Sequence, residues 1–204
     1  MVDVRTVTGG TSLLGGAAWG GMCFAQNTLP QGCIGDGCLE RPMRGSSDLA
    51  SSLSVVAALL LAVSVVGFVV MSRRRGQWGR SSRLGVAAVA AGLFLLLAAG
   101  VMSVVDGDWE GMPGLVVPGV LLLAIGLLLV AWMVLRSQVL PTWVAVLMLV
   151  TVLLLLFSNE QTSRVLLAVP FGLAWMLAGA VLLRRPSERQ LISASMSEKP
   201  DASP

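Results

Sequence analysis

Five long apolar stretches run through this chain: Leu53–Met71, Leu84–Val105, Gly114–Leu135, Val139–Phe157 and Val165–Leu183. None contains an Asp, Glu, Lys, Arg or His, and each has 19 to 22 residues. At about 1.5 Å per residue that is roughly 28–33 Å of helix, close to a hydrocarbon core of about 30 Å. A helix satisfies its backbone groups within itself, which lipid demands. The predicted fold class is therefore all-α: a polytopic transmembrane bundle of five helices, or six if Val7–Ala25 also spans. Charged residues make up 12% of the chain, against about 25% in a soluble domain. The predicted organisation is an N-terminal segment (1–52), a transmembrane domain (53–183) and a polar tail (184–204). The tail is Ser- and Pro-rich and too poor in apolar residues to bury a core, so disorder is expected there.

Charge in the loops predicts orientation, because cytoplasmic loops carry an excess of Arg and Lys. The loop after the first stretch holds Arg73, Arg74, Arg75, Arg80 and Arg83 and no acid. The next holds Asp106, Asp108 and Glu110 and no base. Arg136 follows the third stretch, and Arg184, Arg185 and Arg189 follow the fifth. The first stretch then enters from outside, the C-terminus is cytoplasmic, and residues before Leu53 are extracytoplasmic. The arginine-rich loop is expected to lie on anionic headgroups, at about 1 kcal/mol per basic residue near the surface. The net charge of +3 needs no nucleic acid to explain it. Thirteen Arg against one Lys, with abundant Gly, Ala and Val, suggest a GC-rich bacterial genome, hence a bacterial cytoplasmic membrane.

Val7–Ala25 keeps three readings. Its six glycines lower both hydrophobicity and helix propensity. It reads as a signal h-region cleaved after Ala25, as a sixth membrane helix, or as a disordered tail. Among the cysteines, Cys33 and Cys38 flank a flexible Ile34-Gly35-Asp36-Gly37 loop. They are predicted to form a disulfide in an oxidising compartment, with two free thiols as the alternative.

Small residues mark where helices can meet closely. Ala88-x-x-x-Gly92 and Ala174-x-x-x-Ala178 are the candidate packing positions. The fourth stretch, rich in Val and Leu, looks more lipid-facing. Pro118 and Pro170 are expected to kink their helices by removing an N–H, while Pro141 sits at a first turn, where that costs nothing. Trp132 and Trp143 fall near the inner interface and Trp109 near the outer one. Trp175 lies mid-stretch, where its indole N–H needs an acceptor and so should face another helix. The second and third stretches resemble the fourth and fifth, each pair being a hairpin with a Val-Pro near its outer end.

Absent residues exclude most chemistry. Ion-coupled transport and proton relays use ionisable groups inside the membrane, and the stretches have none. No His is present for haem, copper or zinc, so no cofactor is expected. Ser54, Ser64 and Ser103 have no accompanying base, which argues against an intramembrane hydrolase. The expectation is a non-catalytic structural or accessory subunit, packing against partner membrane proteins or itself within the bilayer. The alternative is a small channel or permease for a neutral or apolar solute, using Ser103, Thr142, Thr151 and carbonyls freed at the two prolines.

Overall fold

The computed structural model describes residues 3–32, 44–45, 47–105 and 112–184, without the side chains of 103–105, 112 and 113. Cys33, Cys38, Trp109 and the tail from residue 185 lie outside the described residues, so the predicted disulfide does too.

The described residues are all-α. Six α-helices follow one another: α1 (Val4–Asn27), α2 (Asp48–Arg74), α3 (Arg80–Val105), α4 (Met112–Ser137), α5 (Thr142–Leu155) and α6 (Val169–Arg184). A 3-10 helix, Ser163–Ala168, leads directly into α6. Four stretches are long and apolar enough to cross a membrane: Asp48–Arg74, Arg80–Met102, Gly114–Ser137 and Ser163–Arg184. This is a multi-pass helical bundle by length and composition.

Boundaries differ from the apolar stretches for local reasons. Ser47 caps α2, its side chain accepting from Ala50 N, so the helix starts five residues before Leu53. The fourth stretch shortens to the 14 residues of α5, about 21 Å of helix. Pro141 holds its N-terminal end in an extended conformation. Ser158 and Asn159 end it, Ser158 Oγ donating to Leu155 O and Asn159 Oδ1 accepting from Gln161 N. α5 has two faces: Val144, Ala145, Met148, Thr151 and Val152 are buried at helical spacing, while Trp143, Val146, Leu147, Val150 and Leu153 are exposed. Pro118 lies inside α4, which continues through it. Pro170 is the second residue of α6, where the 3-10 turns give way to α-helix.

The segment before Leu53 holds a helix built into the bundle. α1 packs between α2 and α6 and runs antiparallel to both. Its N-terminal end meets the C-terminal end of α6, where Arg5 Nε donates to Leu182 O at 2.9 Å. Residues 3–5 therefore lie at the same end as the arginine-rich turn and opposite Ser47.

Two glycine seams draw helices into backbone contact. On α1 and α6, a Cβ placed at Gly172 would sit 2.6 Å from Gly16 O, and one at Gly179 would sit 2.7 Å from Leu13 N. Gly9 faces Leu183 and Gly179 O. On α3 and α4, a Cβ at Gly92 would lie 2.6 Å from Leu123 N, and one at Gly126 would lie 2.8 Å from Gly85 O. A Cβ at Gly119 would meet Leu95 and Leu96 at 3.1–3.2 Å. Both seams repeat every seven residues: Gly9 and Gly16 against Gly179 and Gly172, Gly85 and Gly92 against Gly126 and Gly119. A seven-residue repeat is the period of left-handed packing, whereas four-residue small-xxx-small spacing goes with right-handed crossings. Gly92 lies in its seam, but Ala88 is only half-buried. Ala174 and Ala178 are fully buried in the main core beside the α1–α6 seam.

That core is filled by large side chains. Trp175, Phe171, Phe68 and Met148 are almost wholly buried. Trp175 packs edge-on to Phe68 at 5.8 Å and against Phe171 at 5.9 Å. The two predicted hairpins are unlike in packing: α3 and α4 share a glycine seam along their length, while α6 makes its closest approach to α1 instead of α5.

Candidate functional site: the two ends of the bundle

Polar chemistry concentrates at the ends of the helices, and the ends differ. At one end lie Arg5, Arg73, Arg74, Arg75, Arg80, Arg83, Arg136 and Arg184, with Asp3 the only described acid. Gly76 makes this basic crown compact. It takes φ +76°, a left-handed conformation that glycine adopts without strain. Gly76 N then donates to Arg73 O and Gln77 N to Ser72 O, which closes α2 with a Schellman motif. The chain reverses in five residues and α3 begins.

The predicted surface arginines have different partners. Arg75 Nη1 donates to Ser137 O at 3.0 Å and to Gln138 O, placing a cation on the C-terminal carbonyls of α4, where the helix dipole favours it. Gln138 itself sits at φ +51°, a costly place for a side-chain-bearing residue. Ser72 and Ser137 hydroxyls meet at 3.0 Å beneath this clamp. The Arg73 guanidinium lies 4.8 Å from the ring centre of Trp78, and that of Arg136 lies 5.0 Å from Trp132. Between these two cation–aromatic pairs opens a groove of about 230 Å3. Arg74, Arg80 and Arg83 are exposed.

The opposite end is tied by a residue with no sequence signal. Arg44 precedes α2 and is buried. Its Nε donates to Pro30 O at 2.8 Å, Nη2 to Leu29 O at 3.0 Å, and Nη1 to Glu160 O at 3.0 Å and Thr162 O at 3.4 Å. Its backbone N donates to Gln161 Oε1 at 2.6 Å, and Gly32 N donates to Gln161 O. One guanidinium thus joins the segment after α1, the segment before α2 and the turn after α5. These acceptors are all backbone carbonyls, so Arg44 acts here as a structural cation.

Within the bundle, hydroxyls serve the helices. Ser64 Oγ donates to Thr11 Oγ1 at 2.8 Å and to Leu60 O, linking α2 to α1. Thr151 bonds back to Leu147 O and Met148 O of its own helix. Trp19 Nε1 donates to Ala168 O at 3.1 Å, across to the 3-10 helix. Trp175 faces other helices as expected, but its indole N–H is buried without a hydrogen-bond partner, as is Ser12 Oγ. Among the described residues no group of three or more His, Cys, Asp or Glu could hold a metal.

The glycine seams were visible in the sequence as paired Gly-x6-Gly spacings, a signal separate from the four-residue one. No protein-family model, curated protein or solved structure matches this chain.

Proposed function

We propose that this chain is a non-catalytic, multi-pass membrane protein that acts by packing: an accessory or assembly subunit whose α3–α4 arm meets partner helices. The observation that carries this reading is the state of α3. It packs on α4, and only 22% of its most apolar stretch is buried, against 50% for Ser163–Arg184. Its uncovered face mixes small and large apolar residues: Leu84, Ala87, Ala91, Phe94 and Leu97. Small residues let a partner backbone approach, and large ones supply contact area. The aromatic plug of Trp175, Phe171 and Phe68 supports packing over permeation, since it fills the bundle centre.

Orientation belongs to the same reading: the basic crown is cytoplasmic and the Arg44 clasp extracytoplasmic. In this reading residues 4–27 are a retained helix, supported by their close packing on α2 and α6. A photo-crosslinker placed at Ala91 in native membranes tests the packing role. The expected product is one membrane protein joined in stoichiometric amount, with lipid adducts alone at Leu153 on α5. Lipid adducts alone at Ala91, together with solute flux through proteoliposomes of the pure protein, would instead establish the permease alternative. Orientation is tested by single cysteines at Ser81 and Asn159 in a cysteine-free background. An impermeant maleimide added to intact cells is expected to label Asn159→Cys and spare Ser81→Cys.

A further inference from the structure

The groove in the basic crown has the form of a headgroup site. Its lining includes Gln77 and Trp78 from the turn, Ser81 and Ser82 from the first turn of α3, and Trp132 and Arg136 from the last turns of α4. No acidic residue lines it. The groove has a volume of about 230 Å3 and is open to one side.

We propose that this groove binds the phosphate headgroup of an anionic phospholipid, with the acyl chains lying on the apolar faces of α3 and α4. Three observations converge on it. Charge comes first: Arg136 lines the groove, and the adjoining segment 73–83 carries five arginines and no acid. Donors come second: the hydroxyl of Ser81, the Gln77 amide and the guanidinium of Arg136 share one wall system with the first-turn N–H groups of α3, which have no intrahelical acceptor. Depth comes third: Trp132 and Trp78 bracket the groove where the apolar spans end, the level at which phosphates lie. Toward the bundle middle the neighbouring surface turns apolar, with Leu84 and Ile125 exposed. A Cβ at Gly76 or Gly79 would meet nothing within 4 Å, so the turn leaves the approach open. The arginines stacked on the two indoles are held beside the groove and do not have to be ordered by the ligand.

The inference rests on the chain being embedded in a bilayer and is independent of any protein partner. The test is native mass spectrometry of the full chain in mild detergent, titrated with phosphatidylglycerol, phosphatidylcholine or glycerol 3-phosphate. Phosphatidylglycerol is expected to bind at least tenfold more tightly than either of the others. Arg136→Gln and Ser81→Glu should each weaken it about tenfold, while Arg74→Gln, outside the groove, should stay within twofold. Each of these variants changes the net charge by one, so diffuse attraction would affect them alike. Ser81→Glu also places an acid at a helix N-terminus, which favours folding while repelling a phosphate. Equal losses for Arg74→Gln and Arg136→Gln would overturn the site. So would equal binding of the two lipids, or full competition by glycerol 3-phosphate.

Discussion

The α1–α6 seam and the α3–α4 seam use one device in two surroundings. Both are antiparallel, both place glycines seven residues apart, and both bring a backbone carbonyl against a missing Cβ. Yet α1 has helices on two sides and α3 is packed on α4. Their compositions follow this difference. The sequence of α3 is apolar almost all round, with Leu, Val, Phe and Ala on the uncovered face. α1 spends its length on glycine, serine and threonine, and its polar groups face neighbours: Thr8 against Gly67, Thr11 on Ser64. The low hydropathy of α1 goes with its having helices on two sides. It does not exclude the helix from the bundle.

The largest way to break this comparison is a leucine at Gly16. A Cβ there would already lie 2.8 Å from Met176 N, and the obstacle is backbone, which cannot rotate away. The cost should exceed the about 1–3 kcal/mol of an overpacked core, because α1 holds both α2 and α6. Thermal unfolding in detergent is expected to show no cooperative transition. Gly92→Leu meets Leu123 N in the same manner. It should splay the arm alone, with faster hydrogen exchange in α3 and on the facing side of α4. Unchanged protection in α1, α2 and α6 would show the two seams to be separate units; loss of protection throughout would show one cooperative body.

Much of this arrangement was legible in the sequence, and the missing parts have physical causes. Uncharged stretches disclosed α2, α3, α4 and α6 because lipid-facing helices must be apolar over their whole length. α1 was ambiguous because its glycines lower propensity by up to about 1 kcal/mol each, a deficit that tertiary contact overrides. Arg44 was invisible, since its acceptors come from segments more than a hundred residues apart and no local pattern encodes them. The shortening of α5 was half-visible in Pro141, but its C-terminal end depends on Ser158 and Asn159 competing for the helix terminus.

Arg44→Met is the next effect in size. It keeps the apolar stem and removes the donors shared by Leu29, Pro30, Glu160 and Thr162. Carbonyls left without partners cost about 1–3 kcal/mol, less where water reaches them. Exchange is expected to quicken in the segment after α1 and the turn after α5, with the basic crown unaffected. Gly10→Ala reverses the sign. A Cβ there would meet nothing within 4 Å, so the helix should gain up to about 1 kcal/mol. A loss at Gly10 comparable to that at Gly16 would remove the distinction between seam and non-seam glycines on α1.

The smallest effect separates burial from satisfaction. Trp175 is the more deeply buried of two core tryptophans, but its N–H has no acceptor, while half-buried Trp19 donates to Ala168 O. Substituting Trp175 by Phe removes an orphan donor and retains a ring against Phe68 and Phe171. The lost indole volume and the relieved donor offset each other, so stability should change by less than about 1 kcal/mol. Trp19→Phe loses a made hydrogen bond and leaves a carbonyl of the 3-10 helix short of a donor, a cost of about 1 kcal/mol before packing. Paired melting curves should therefore place Trp19→Phe below Trp175→Phe, the reverse of their order by burial. If Trp175→Phe proves the more damaging, the indole N–H has an acceptor in the membrane, and the centre of the bundle holds a polar group that the α1 and α6 side chains do not supply.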